Sequence, residues 1–438
     1  MKHSKEELKK IACAAIDQNR DAIIALGDSI LVEPELGYKE FKTADKVKKL
    51  FEQLGYPYRS EVAITGVVAE RKGKESKMKV AIMGELDAVI VRDHPYVCEE
   101  TGAAHACGHN CMIASLAGVA YALKGTGIME ELSGDIVLMA VPAEEYVEIG
   151  YRNSLREAGK IHFLGGKQEF IRLGEFDGID AMIMQHTTST TGKVKALTRN
   201  FSNGFTGKLV RYIGKEAHSG GAPHMGINAL NAAQIGLMAV HAQRETFKDE
   251  DHIRVHPIIT KGGDLVNVVP ADVRIETYVR GSNVPAILDA SFKVNRAFKA
   301  GGDAVGAQTV ITELPGYLPS CFDEKLTDVM HANLVALLGE DAVLREGPSG
   351  GGSTDASDVA HLIPTQHIYM GGSVGGAHSK EFMIADKELA YINAAKALIC
   401  TAIDMLADGA ELGLDIKNNF NAPMTKEEYL TKWGHLNS

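Results

Sequence analysis

The sequence predicts a two-domain α/β protein in which a smaller α+β module interrupts a larger α/β domain. The chain of 438 residues exceeds the roughly 250–300 residues at which one hydrophobic core stops growing. Short apolar runs alternate with helical stretches in its first and last parts, whereas residues 199–313 follow a different order of elements. The expected domains are therefore 1–198 with 314–438, and 199–313.

The larger domain begins with helices and continues with buried strands. Apolar residues at helical spacing predict one amphipathic helix over the first thirty residues, and a second helix follows at Thr43–Leu54, ended by Gly55. Short apolar runs separated by helices such as Ile113–Leu123 then predict a sheet with helices on both faces. These runs are Val80–Met83, Ile136–Val141, Ala181–Met184 and His367–Met370.

Residues 199–313 have the order strand, helix, strand, strand, helix, strand, which is the split βαβ arrangement of a ferredoxin-like module. The segments are Gly207–Ile213, Ile227–Gln243, Ile253–Thr260, Asp272–Val279, Val284–Lys299 and Ala307–Glu313. Because predicted strands and helices of the larger α/β domain flank this stretch on both sides, we predict that it is an inserted lid.

Composition narrows the function classes. Hydrophobic residues make up 45% and charged residues 24%, as in ordinary globular proteins. Acidic residues outnumber basic ones by 57 to 46, and the formal charge of -11 argues against nucleic-acid binding. We expect no membrane association, because no run approaches the roughly 20 apolar residues of a span. Six irregularly spaced cysteines suit a reducing compartment, so a cytoplasmic location is expected.

Five segments place metal-ligating or acidic side chains at the ends of predicted strands or at the starts of the following helices. They are Gly84-Glu-Leu-Asp87, His105-Ala-Cys-Gly-His109, Pro142-Ala-Glu144-Glu145, Met184-Gln-His186 and Gly376-Ala-His378. Ligands of open α/β sheets bind at the edge of the sheet formed by the carboxyl ends of the strands. Each segment alone also fits a glycine-bearing turn, a solvated acidic loop or a structural histidine. Their combination favours a metal site.

Taken in order, the motifs Pro34-Glu-Leu-Gly37, GELDA, HACGHN, PAEE, MQH and GGAHS resemble those of a zinc-peptidase clan. That clan includes aminoacylases, hippurate hydrolase and aminobenzoyl-glutamate hydrolase, and the resemblance is to its amidohydrolase branch. It covers most of the chain. It implies a two-metal hydrolase that cleaves the amide bond of an N-acyl or N-aroyl amino acid or a dipeptide-like substrate.

The resemblance also implies roles for individual residues by matching position. The metal ligands would be Cys107, His109, Glu145, His186 and His378, with Cys107 bridging two divalent ions. Glu144 would be the general base acting on a metal-activated water, and Asp87 would orient a ligand. The donor set suits zinc, although manganese, cobalt or nickel can also bind.

Three lid residues are implicated in the same way. His218 matches a histidine that stabilises the tetrahedral oxyanion, and Asn267 and Arg280 match positions that contact the carboxylate end of the substrate. The alternatives are a helix-start cap for His218 and a strand-end surface charge for Arg280. A homodimer through the lid is implied, in which His218 would serve the partner's site.

Asn110 departs from the commoner pattern of the branch, which has Asp after Cys-Gly-His. The Cys-Gly-His-Asn form and the segment Gly352–Asp358 resemble the sub-branch of the aminobenzoyl-glutamate hydrolase subunit and β-alanyl-lysine-type dipeptidases. Some of these relatives work as two-component assemblies. The alternative function is therefore a non-catalytic or partner-dependent subunit. A nicotinamide-linked enzyme fits less well, because no predicted strand is followed by Gly-x-Gly-x-x-Gly.

Overall fold

The computed structural model describes residues 2–347 and 350–436. The chain forms two compact units. The first comprises Met1–Phe201, Cys321–Ser349 and Asp355–Lys426, and the second comprises Ser202–Ser320, Gly350–Thr354 and Glu427–Ser438. The assignment of residues 1–198 with 314–438 as a catalytic domain, and of 199–313 as a dimerising lid, stays a prediction.

Thirteen α-helices and sixteen strands are found in the described residues. The helices are α1 (Lys5–Gln18), α2 (Arg20–Leu31), α3 (Phe41–Leu54), α4 (His109–Leu123), α5 (Ile149–Glu157), α6 (Gly166–Leu173), α7 (Ala229–Ala242), α8 (Val284–Val305), α9 (Glu324–Leu338), α10 (Ala356–Ala360), α11 (Ala394–Leu406), α12 (Glu411–Asn419) and α13 (Lys426–Glu428). The strands are β1 (Tyr58–Val62), β2 (Gly66–Arg71), β3 (Lys79–Glu85), β4 (Val89–Ile90), β5 (Ala103–Ala104), β6 (Asp135–Val141), β7 (Ala181–Ser189), β8 (Ala196–Arg199), β9 (Gly204–Ile213), β10 (Arg254–Val255), β11 (Ile258–Lys261), β12 (Asp272–Gly281), β13 (Gln308–Pro315), β14 (Val343–Glu346), β15 (Thr365–Val374) and β16 (Met383–Ile384).

The first thirty residues form two helices, so the expectation of a single helix is wrong. The break lies at Asn19, between α1 and α2, where the side-chain amide donates a hydrogen bond to the carbonyl of Ala15 at 2.8 Å. A side chain that takes a helix carbonyl in this way competes with the backbone hydrogen bonds. α3 ends as predicted at Gly55, which adopts the left-handed conformation with φ 67°.

A mixed sheet of nine strands forms the centre of the first unit. The strand order is β1-β2-β6-β3-β7-β15-β8-β14, and β16 pairs with β15. The inner strands β6, β3, β7 and β15 are parallel to one another, whereas β1, β2 and β8 add antiparallel pairings. Because parallel strands direct their carboxyl ends to one edge of the sheet, the residues that follow the inner strands meet there.

The helices of the first unit cover the sheet and share one hydrophobic core with it. Buried members of this core include Leu116 of α4, Leu398 of α11, Ile82 of β3 and Ile183 of β7. Removal of such apolar surface from water, at about 25 cal/mol per Å², is the main term that stabilises the packing. The predicted α/β class is confirmed.

The segment Glu388–Leu406 begins as a π-helix and continues as α11. By length and composition, with a mean hydropathy of 1.4, it is apolar enough to cross a membrane. The expectation that no segment reaches this size is therefore wrong. However, 83% of this apolar stretch is buried in the fold, as is typical of a core helix.

The second unit contains a separate five-stranded antiparallel sheet. Its strand order is β10-β12-β9-β13, with β11 also paired to β12. Its core joins α7 and α8 to this sheet through residues such as Val210, Val273 and Phe298. The predicted βαββαβ order is confirmed, except that the third segment is divided into β10 and β11. The division falls at Pro257, which lacks the N–H group that a continuous ladder requires.

α7 and α8 approach each other closely at Gly301. A Cβ atom at Gly301 would lie 2.4 Å from the carbonyl oxygen of Ala232 and 2.7 Å from the Cα of Gly236. Backbone atoms cannot yield as a flexible side chain can. The absence of a side chain at residue 301 is therefore a requirement of this helix pair.

We predict that Gly301→Ala destabilises the protein by about 1–3 kcal/mol, because the added methyl group overpacks the helix interface. Gly150→Ala is the matched control, since a Cβ there meets no atom within 4 Å. In α5 that change should be neutral or stabilising by up to about 1 kcal/mol, as expected from helix propensity. Urea unfolding followed by circular dichroism measures both. Equal unfolding midpoints would contradict the packing argument.

Candidate metal centre

The turn before α4 brings Cys107 and His109 into the centre of the first unit. Gly108, between them, has φ 83°, and a Cβ there would lie 3.1 Å from the Cβ of Thr187. Only glycine adopts this backbone conformation without cost. Cys111, the third residue of α4, is a buried thiol whose pKa is raised by burial to about 12.

The Cys107 thiol is shared by two groups of potential ligand atoms. One group is Cys107, His109 and His186, the other is Cys107, Glu145 and His378, and the ligand atoms within each group lie within 4.8 Å of one another. Cys107 Sγ is 3.3 Å from His186 Nε2, and His378 Nε2 is 2.9 Å from Glu145 Oε1. All five predicted ligands are therefore brought together.

The topology of the sheet explains this convergence. Glu145 follows β6, His186 lies near the carboxyl end of β7, and His378 lies in the loop after β15. His378 adopts a positive φ of 60°, and its backbone N–H donates to the carbonyl of Ala106 at 2.8 Å. This bond connects the loop after β15 to the segment that contains Cys107.

Asp87 orients one residue from each group. His109 Nδ1 lies 2.8 Å from the Asp87 carbonyl oxygen and 3.2 Å from its Oδ1. Since both atoms are acceptors, Nδ1 carries the proton and Nε2 remains available to a cation. The other carboxylate oxygen, Oδ2, accepts the backbone N–H of Glu145 at 2.9 Å.

Glu144 lies beside these donors. Its Oε2 is 3.9 Å from His109 Nε2. The preceding residue, Ala143, has a positive φ of 56°, and its N–H donates to the buried carboxylate of Glu40 at 2.8 Å. Burial, together with the neighbouring carboxylates Glu85 and Glu145, raises the pKa of Glu144 well above its usual range.

The surroundings also set the protonation of the donors. Burial and Glu145 raise the pKa of Cys107, but His186 and His109 outweigh them and lower it to about 6. Burial likewise raises the pKa of Glu145, yet His378 holds it at about 2. A thiolate and a carboxylate are the forms that bind cations. His109 Nε2 is buried and makes no hydrogen bond to any described residue, so the donor set fits divalent metal ions.

A buried lysine and two carboxylates complete the centre, although none of the three is among the predicted site residues. Lys167 Nζ lies 2.5 Å from Glu85 Oε1 and 2.5 Å from Asp355 Oδ1. Glu85 Oε2 is in turn 3.1 Å from His109 Nε2. Although burial raises the pKa of Glu85, Lys167 and His109 lower it to about 2. The Gly165-Gly166 pair before Lys167 marks a helix start but gives no sign of this role.

Asn110 connects helices within the first unit. Its side-chain amide donates to the hydroxyl group of Tyr391 at 3.0 Å and to the carbonyl of Gly27 at 3.4 Å. These partners belong to the π-helical turn before α11 and to α2. The residue that departs from the commoner motif therefore has a packing role.

The three lid residues belong to the second unit. His218 is exposed, and its Nδ1 accepts the backbone N–H of Gly221 at 3.0 Å. Asn267 is also exposed. Arg280 donates to Ser353 Oγ at 2.6 Å. The participation of His218, Asn267 and Arg280 in the site stays a prediction.

We predict that Lys167→Met destabilises the metal-free protein by about 3–5 kcal/mol, because it leaves two buried carboxylates without their cation. Lys49→Met is the matched control, since Lys49 is exposed and pairs with Asp45 on the same helix. It should change stability little. Urea unfolding of chelator-treated protein measures both variants. Similar midpoints would show that the buried ion pairs contribute little.

Comparisons with known proteins agree with this architecture. The chain is 27% identical to the Xaa-Arg dipeptidase of Mus musculus, over 97% of this chain and 95% of that protein. It is 27% identical to the N-acetyl-L-cysteine deacetylase of Bacillus subtilis, over 84% of this chain and 83% of that protein. Because these relatives are named as enzymes, the alternative of a non-catalytic subunit is not favoured.

Solved structures share the fold. A Bacillus subtilis protein described as a dinuclear metal-binding peptidase of the M20 family matches with a TM-score of 0.65 and 22% identity, over 89% of this chain and 99% of that chain. An aminobenzoyl-glutamate utilization protein from Klebsiella pneumoniae matches with a TM-score of 0.68 and 18% identity, over 89% and 97%.

The family model of peptidase family M20/M25/M40 matches residues 81–402. This range includes all five predicted metal ligands and Glu144, and it covers more than half of the 438 residues. The resemblance to the zinc-peptidase clan is thereby confirmed. The chain is a hydrolase of amide bonds that belongs to peptidase family M20/M25/M40.

Proposed function

We propose that the protein hydrolyses the amide bond of an N-acyl or N-aroyl amino acid or of a dipeptide-like substrate, with Glu144 as the general base. The observation that carries the proposal is the Cys107 thiol shared by two three-donor groups, with Glu144 beside them. The names of the relatives, a dipeptidase and an N-acetyl amino acid deacetylase, support the substrate class.

Two divalent ions, most suitably zinc, would be held by the two groups. Cys107, His109 and His186 would hold one ion, and Cys107, Glu145 and His378 the other. When bound, the ions polarise the scissile carbonyl and acidify the attacking water. Manganese, cobalt or nickel would also suit this mixture of thiolate, imidazole and carboxylate ligands.

The protein's own groups orient the donors and move the proton. Asp87 fixes the ring of His109 and the backbone of Glu145 through its two carboxylate oxygens. Glu144 takes the proton of the attacking water on its carboxylate and returns it to the leaving nitrogen. The hydrogen bond from Ala143 to Glu40 holds the turn that carries Glu144.

The second unit would supply substrate contacts. In our proposal Arg280 and Asn267 bind the carboxylate of the substrate, and His218 stabilises the oxyanion. Arg280 presents a forked guanidinium suited to two carboxylate oxygens. It is already positioned by Ser353 and by the ring of Tyr278, whose centroid lies 5.4 Å from the guanidinium carbon.

We further propose a cytoplasmic homodimer formed through the second unit. Its two helices expose large apolar side chains, including Met238 of α7 at 72% and Phe292 of α8 at 66%. Exposed apolar side chains mark association surfaces when they form one continuous patch. In the dimer His218 would serve the site of the partner.

We predict that Glu144→Gln lowers kcat by about 10²–10⁴-fold, because the amide cannot accept the proton. A panel of N-acyl amino acids and dipeptides provides the assay, and elemental analysis should find the metal content unchanged. Glu157→Gln, an exposed change on α5, is the control and should keep full activity. Full turnover by the Glu144 variant would rule out Glu144 as the base.

A mixing experiment tests the shared site. His218→Ala and Glu144→Gln chains, each nearly inactive alone, should regain partial activity when mixed, because some dimers then contain one intact site. Differently tagged chains, purified through both tags, establish that subunits have exchanged. Inactive mixed dimers would show that His218 does not act on the partner's site.

A further inference from the structure

α1 and α11 carry a matched series of side chains on the faces that meet. Each series has a lysine, a cysteine and an aspartate spaced four residues apart, which places them on one face of a helix. The series are Lys9, Cys13 and Asp17 on α1 and Lys396, Cys400 and Asp404 on α11.

The two series pair in opposite directions. Lys9 Nζ lies 2.6 Å from Asp404 Oδ2, and Lys396 Nζ lies 2.6 Å from Asp17 Oδ1. Between these ion pairs, Cys13 Sγ lies 3.8 Å from Cys400 Sγ. The helices therefore run antiparallel, with one ion pair on each side of the two thiols. A slip of either helix along the other would break both pairs, so the thiols are held opposite each other.

We propose that Cys13 and Cys400 are a site of reversible disulfide formation with a small-molecule disulfide oxidant. The two sulfur atoms lie 3.8 Å apart. They must move closer to each other to reach the disulfide bond length of about 2.05 Å. Cys13 is partly exposed and can meet the oxidant, whereas Cys400 is only 3% exposed. Neither residue belongs to the metal centre, so this inference is independent of the proposed function.

The chemistry balances in two exchange steps. The Cys13 thiolate attacks one sulfur of the oxidant, breaks its disulfide bond and forms a mixed disulfide. It releases one small thiolate, which takes up the proton that Cys13 had lost. Cys400 then attacks Cys13 Sγ, closes the protein disulfide and releases the second small thiol, which takes up the proton of Cys400. The two cysteines lose two electrons and two protons, and the oxidant is reduced to two thiols.

The surroundings of the two thiols determine which cysteine attacks the oxidant first. The hydrogen bond with Cys400 and the charge of Lys396 lower the pKa of Cys13, although its partial burial acts in the opposite sense. The same hydrogen bond, together with burial, raises the pKa of Cys400. Because the thiolate is the nucleophile, Cys13 reacts first and Cys400 resolves the mixed disulfide.

The bond would join segments that are far apart in the chain. It would attach the first helix to α11, and α11 shares the core with α4, which begins at His109. A cross-link over such a long loop restricts the unfolded chain strongly. The oxidised protein should therefore have a higher Tm than the reduced protein.

The test uses the reduced full-length protein incubated with oxidised glutathione, then alkylated and digested without reductant. Mass spectrometry should find the Cys13 and Cys400 peptides linked and lighter than their sum by two hydrogen atoms. Thermal unfolding should show a raised Tm that dithiothreitol reverses. A Cys13 that carries only glutathione, or a linked peptide that forms only in urea, would overturn the proposal.

Three variants sharpen this result. Cys13→Ser and Cys400→Ser are near-isosteric and should each abolish the linked peptide and the rise in Tm. Cys98→Ser removes a thiol outside the pair and should keep both. Loss of the rise in Tm in the Cys98 variant, or its persistence in the Cys13 variant, would contradict the assignment.

Discussion

The geometry of the candidate metal centre depends on the two contacts made by the Asp87 carboxylate. One of its oxygens faces the ring of His109 and the other accepts the backbone N–H of Glu145. Each of these residues belongs to a different donor group, so one buried side chain sets the spacing between the groups. A carboxylate held in this position orients ligands without occupying a coordination position itself.

The sheet supplies the second constraint. Four parallel inner strands end at one edge, and this is why residues more than two hundred positions apart, such as Cys107 and His378, share a neighbourhood. This convergence also brings several acidic side chains together in the buried interior, where their negative charges repel one another. Lys167 offsets part of that charge by pairing with Glu85 and Asp355 at once. Buried charges persist only when they are compensated in this way.

Much of this arrangement could be predicted from the sequence, because its signals are local. The buried strands are continuous apolar runs, and the donors follow them in recognisable motifs. β1 escaped prediction because three of its five residues are exposed and leave no apolar pattern. Lys167 escaped because a single lysine at a helix start looks like any surface lysine, and only the folded chain reveals its burial. The break between α1 and α2 also escaped prediction. It depends on a hydrogen bond of the Asn19 side chain, which leaves no trace in the spacing of apolar residues.

The discontinuous composition of the first unit has a consequence for biosynthesis. β15 lies between β7 and β8 in the sheet, yet it is synthesised after Ser202–Ser320, the longest segment of the second unit. Until then the nascent chain exposes the long edge of β7, a surface prone to mispairing. The sheet and its metal-ligating side chains are therefore completed late in synthesis, because His378 also follows β15.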